Sequence, residues 1–170
     1  MVFQQGVVSP YVAPTMTTAW WTDGTDGGLF QVSRSANMSW TTYTDSLVEN
    51  KVELCAIHGK NGAPWAQVPG FTCTPDEVLN VANAIASNDN GIYGSGALMG
   101  GKRWTVIRLE TDASLIVFKG KDQDNMKQTL VVALSTQAVI IGANKDENVQ
   151  GAAVRTAVEG LRDYLKQCGY

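Results

Sequence analysis

Apolar positions begin to recur regularly at Trp40. From there Trp40, Tyr43 and Leu47 fall three and four residues apart, which predicts a short helix with Ser39 as N-cap, ending near Glu49 and Asn50. Residues 52–57 read as a strand. Gly59-Lys60-Asn61-Gly62 carries an Asn-Gly turn signal, and residues 65–68 return as the partner strand of a hairpin. Thr74-Pro75-Asp76-Glu77 combines a threonine N-cap, proline at the first helical position and a glutamate placed to close a capping box. The helix it starts has Val78, Val81, Ala82 and Ile85 as its apolar stripe and stops in Asn88-Asp89-Asn90-Gly91, where asparagine and glycine accept left-handed geometry.

The pattern then turns to β. Residues 104–109, 114–119, 128–134 and 138–143 are rich in β-branched side chains and separated by short polar turns, which predicts an antiparallel meander. Gly100-Gly101-Lys102 lies between two short strand candidates rather than ahead of a helix, so it reads as a hairpin turn and not as a phosphate cradle. A last helix over residues 150–167 places Val154, Ala157, Val158, Leu161, Leu165 and Cys168 on one side. An antiparallel sheet covered by helices, an α+β fold, follows from this order.

Residues 1–37 depart from this regularity. Their only charges are Asp23, Asp26 and Arg34, and they hold neither period. They read as a disordered extension to a domain spanning residues 38–170. Its one proline-spaced stretch, Ser9-Pro10-Tyr11-Val12-Ala13-Pro14, is tethered closely enough to fold back over the first helix, so a covering segment stands beside the passive tail as an alternative.

Composition removes several functions. Thirteen Lys and Arg against sixteen Asp and Glu give a net charge of −3, with no global basic field to hold nucleic acid. No run approaches the roughly 18 apolar residues of a membrane span, and no leader is apparent, so a cytoplasmic protein is expected. The three cysteines, Cys55, Cys73 and Cys168, have no CxxC spacing, and His58 is the only histidine. Cys55 and His58 are the nearest approach to a nucleophile and base, yet at i and i+3 of a strand they point to opposite faces. Catalysis, a metal and a cofactor are therefore not expected.

Four segments in register carry a family likeness: Met38-Ser39-Trp40-Thr41-Thr42-Tyr43-Thr44-Asp45; Pro64-Trp65-Ala66-Gln67 with Gly70-Phe71; Gly100-Gly101-Lys102-Arg103-Trp104; and the closing Asp163-Tyr164-Leu165-Lys166-Gln167-Cys168-Gly169-Tyr170. Over residues 38–170 the chain resembles profilin, a family of actin-monomer-binding proteins. The resemblance implies a central antiparallel sheet with the N- and C-terminal helices packed on one face and a further helix on the other. It also implies control of actin filament assembly through monomeric actin, and binding of proline-rich proteins such as formins.

The residues supply a physical reason for a proline ligand. Trp40 and Tyr43 lie one helical turn apart and Trp65 starts the neighbouring hairpin strand, so their rings can stack on pyrrolidines. A polyproline II helix is already ordered, and its carbonyls are open to indole and phenol donors. The resemblance adds Tyr164 and Tyr170 as the other side of the groove. On periodicity alone, Trp40, Tyr43 and Trp65 would instead seal a helix against a sheet, and it is the resemblance that favours a groove.

Actin contacts are implied for Lys119, Lys121, Gln150 and Arg155, where bases can steer an acidic partner. Anionic phosphoinositide head groups are implied for Lys102, Arg103, Lys119 and Lys121, each base contributing about 1 kcal/mol near an anionic surface. A solvated strand edge is the alternative for both sets. Lys121-Asp122-Gln123-Asp124-Asn125 is longer and more acidic than the family's glycine-rich turn, and Lys145-Asp146-Glu147-Asn148 replaces a proline-containing stretch, so a proline-peptide and phosphoinositide adaptor with weak or no actin binding stands as the alternative function.

Overall fold

A computed structural model describes residues 39–170; the expectations for the extension, including the tether at Ser9 to Pro14, lie outside the described residues. Helix α1, Trp40–Glu49, starts where the Ser39 hydroxyl accepts the Thr41 N–H at 3.1 Å. It ends in a Schellman turn: Lys51 takes a φ of 67°, its N–H bonds to the Val48 carbonyl, and the Val52 N–H reaches back to Leu47 at 3.0 Å. That bond corrects the expected start of the first strand. Val52 is occupied in closing the helix, and β1 begins two residues later, at Leu54–Gly59.

Strand β2, Pro64–Gln67, completes the expected hairpin. Helix α2, Pro75–Ser87, has both halves of its capping box, with the Glu77 N–H on the Thr74 hydroxyl and the Thr74 N–H on the Glu77 carboxylate at 2.9 Å. It stops at Asn88, whose φ is 53°. A four-residue helix α3, Ile92–Ser95, follows; the sequence pattern did not reveal it, because its one buried residue, Ile92, sets no period. The β strands then run β3 Ala97–Met99, β4 Lys102–Glu110, β5 Leu115–Gly120, β6 Thr129–Leu134 and β7 Ala138–Ala143, ahead of α4, Gly151–Gln167. Gly100 and Gly101, both at positive φ, turn β3 into β4 as the hairpin expectation required.

All pairings in the seven-stranded sheet are antiparallel, in the order β2-β1-β7-β6-β5-β4-β3. Strand alternation divides the core in two. Leu115, Val131 and Ile140 face α1 and α4, meeting Leu47, Val154, Val158 and Leu161. Ile116, Phe118, Val132 and Ile141 face α2, meeting Val78, Val81 and Ile85. The terminal helices thus share one face and α2 takes the other, as expected. Strands β6 and β7 are covered on both sides and are buried throughout. Each large side chain fully buried here stabilises the fold by about 1.5–3 kcal/mol. Gly142 of β7 sets the helix spacing, since a Cβ there would lie 2.6 Å from Val158 and 2.7 Å from Val52.

Candidate functional site

The first two turns of α1, strand β2 and the end of α4 meet at one corner. The rings they carry form a line: Tyr164 to Tyr43 at 5.9 Å between centroids, Tyr43 to Trp40 at 5.5 Å, and Trp40 to Trp65 at 4.5 Å. Tyr170 closes on Trp40 at 5.3 Å and on Trp65 at 6.3 Å, edge to face in both contacts. The structure therefore brings together all the residues expected of the aromatic groove. Trp40 and Tyr43 are 5% and 1% exposed and seal α1 against the sheet, while Trp65, Tyr164 and Tyr170 are half-buried and form the rim.

Residues that the sequence pattern did not single out hold the rim in place. Helix α4 ends at Gly169, whose φ of 88° lets the Tyr170 N–H return to the Leu165 carbonyl at 2.8 Å. The turn between β6 and β7 then clasps this end: the Thr136 N–H donates to the Tyr170 carbonyl at 3.0 Å and the Gln137 amide donates to Gly169 at 2.9 Å. Burial pushes the Tyr43 phenol up, an effect that the adjacent Tyr164 hydroxyl offsets in part. Burial also pushes up Tyr164, reinforced by Cys168. The two hydroxyls are buried beside each other and beside Cys168, a setting that keeps both phenols protonated.

The expected basic residues lie at the opposite end of the sheet. Strand register sets Lys119 across from Thr105, and the Lys121 N–H bonds to the Arg103 carbonyl at 3.0 Å, so Arg103, Lys119 and Lys121 are neighbours. Alternation along β4 turns Lys102 to the other face, where it pairs with Asp124 at 3.0 Å. Arg103 is held by Asp122 at 2.6 Å, and its N–H groups keep that carboxyl below its ordinary range. The acidic turn thus offsets two of the bases. Lys119 donates to the Lys127 carbonyl.

Gln150 is the exposed N-cap of α4. Arg155, one turn further on, is held by Glu110 through two hydrogen bonds of 2.8 and 2.6 Å and also meets Glu159. Hydrogen bonds from Arg155 hold the Glu110 carboxyl low, and Arg155 is itself raised. This network joins residues 45 positions apart and left no signal in the sequence.

Cys55 and His58 do not converge. The Cys55 thiol packs under α1 and points at the Thr44 carbonyl, and burial pushes it up to about 12. On the other face of β1, His58 Nδ1 donates to Gly62 at 3.0 Å, and burial lowers its pKa. Among the described residues no helix is long and apolar enough to cross a membrane.

These features define a class: an α+β binding protein whose terminal helices present an aromatic corner beside a single antiparallel sheet. The profilin family model matches residues 38–170, and the chain belongs to the profilin family, a non-enzymatic family of actin-binding proteins. The chain is 32% identical over 135 residues to profilin of Drosophila melanogaster, covering 78% of this chain and all of that one. The crystal structure of Acanthamoeba castellanii profilin II matches with a TM-score of 0.67 at 28% identity, again over 78% of this chain and 100% of the other. Mouse profilin IIa, solved in complex with a double repeat from the FH1 domain of mDia1, has the same fold with a TM-score of 0.67 at 23% identity, over 78% of this chain and 100% of that chain.

Proposed function

We propose that this profilin binds monomeric actin, regulates filament assembly, and docks proline-rich segments such as those of formins on Trp40, Tyr43, Trp65, Tyr164 and Tyr170. The observation that carries the proposal is the meeting of these rings, from three separate parts of the chain, at one corner of the fold with Trp65, Tyr164 and Tyr170 at its rim. An extended proline helix offers such a surface flat rings and unbonded carbonyls at little ordering cost. The mouse relative's complex with an FH1 repeat supports the same use of the fold. The protein works in the cytoplasm with the actin cytoskeleton.

Lys119, Lys121, Gln150 and Arg155 are the proposed actin-facing residues. They lie along β5 and the start of α4, on ground broad enough for a mixed protein interface. Arg103, Lys119 and Lys121, with Lys102 at the edge, are the proposed contacts for phosphoinositide head groups; the adjacency of Arg103 and Lys121 favours this second use. Pyrene-actin assembly with the purified chain tests the actin role, and slowed spontaneous nucleation is expected. Unchanged assembly alongside retained proline-peptide binding would leave the adaptor function.

A further inference from the structure

A cleft of about 280 Å³ opens where the ring line ends at Trp65. Its other walls are the two turns that fix the groove, Gly59 to Asn61 between β1 and β2, and Thr136 with Gln137 between β6 and β7. These turns are tied to each other through the Lys60 N–H on the Gln137 carbonyl at 3.0 Å, so the cleft has a set shape. Part of the backbone is internally engaged: the Gly59 N–H meets Ala63, the Gly62 N–H meets Gly59, and the Thr136 N–H holds Tyr170. The Asn61 side-chain oxygen accepts the Ala63 N–H, and the Gln137 amide nitrogen is taken by Gly169.

The side-chain groups left to a ligand are mostly donors: the Lys60 ammonium, the Asn61 amide nitrogen and the Thr136 hydroxyl, against the Gln137 oxygen as acceptor. No side-chain carboxylate lines the cleft. Lys60 is the one basic residue lining the cleft and has no ion pair among the described residues. An ionised carboxylate, which only accepts hydrogen bonds, matches this set.

We propose that this cleft is an acid-reading subsite of the groove, selecting proline-rich segments that carry a glutamate or aspartate just beyond the proline run. The inference rests on the proline-binding reading above. Trp65 is itself a wall of the cleft, and a polyproline helix rises about 3.1 Å per residue, so the cleft lies within reach of the residues that follow a proline seated on that ring. Because the cleft lies at one end of the ring line and a proline helix has a direction, only one flank of the ligand is read. The net charge of −3 gives an acidic flank no general attraction, so any preference must arise locally.

Calorimetry with the full chain tests this, using decaproline alone and decaproline flanked at either end by two Glu or two Gln. At low salt the Glu-flanked peptide should bind about threefold more tightly than its Gln counterpart, at one end only, as suits a single solvent-edge ion pair. The advantage should vanish in Lys60→Gln and pass to a Lys-flanked peptide in Lys60→Glu, with decaproline affinity unchanged in both. Equal affinity for Glu and Gln flanks, an advantage that survives Lys60→Gln, or equal gains at both ends would overturn the subsite while leaving the groove standing. Binding of none of these peptides would overturn the proline reading and the subsite with it.

Discussion

The aromatic corner and the charged end of the sheet solve opposite problems. At the corner, rings from α1, β2 and the end of α4 are packed on one another before any ligand arrives. At the charged end three of the expected contacts are already in ion pairs: Arg103 with Asp122, Lys102 with Asp124, Arg155 with Glu110. A ligand at the corner adds contacts to a preformed surface, so a few side chains can dominate its affinity. A partner at the charged end exchanges internal ion pairs for external ones, so its affinity must come from area and its charges mainly set the encounter rate.

The largest expected effect separates the two regions directly. Trp40→Ala should weaken proline-peptide binding by about 1–3 kcal/mol in calorimetry while leaving actin-monomer affinity unchanged, with folding checked by circular dichroism. Full peptide affinity in that variant would move the groove elsewhere. In reverse, Lys119→Glu combined with Lys121→Glu should weaken both actin binding and sedimentation with phosphoinositide vesicles, at about 1 kcal/mol per reversed base on the lipid, without touching the peptide. Unchanged sedimentation would remove the lipid patch.

Acid separates the regions by pH window. His58 is buried and holds the β1–β2 turn through Gly62, so its neutral form is favoured in the folded state and its pKa is lowered. The unfolded chain takes the proton first, and stability is lost as pH falls below the ordinary 6.5. Glu110, held low by Arg155, retains its contribution until pH falls below the ordinary 4.5. Urea midpoints should therefore drop between pH 7.5 and 5.5, a drop largely removed by His58→Gln and retained in Arg155→Met. The smallest effect is none at all: a chain beginning at Met38 should match the full chain in stability and peptide affinity, and tighter binding on truncation would show that the extension covers the groove.

What the sequence disclosed follows from the range of the forces involved. The capping box of α2 and the apolar stripes of α1, α2 and α4 are local, and each was legible within a few residues. The Gly100-Gly101 turn was legible for the same reason. Helix α3 was not, having one buried residue and too few turns to show a period. Val52 misled because its β-branched side chain suits a strand while its N–H is spent on the preceding helix. The ring residues could be named in advance, but not how Trp40 becomes 5% exposed while Trp65 stays at the rim, since that depends on Tyr170 and on the Thr136 clasp far along the chain. The ion pairs were the least legible, because charge carries no period.

The clasp on Tyr170 gives the aromatic corner one further property. Trp40 lies near the start of the domain, Trp65 about a fifth of the way in, and Tyr170 is fixed only once the β6–β7 turn and all of α4 are in place. During synthesis the groove therefore stays incomplete until residue 170 has left the ribosome and docked. A copy in which the end of α4 has not docked would lack a finished aromatic corner, so ligand capture at that corner reports that the last helix and the β6–β7 turn have come together.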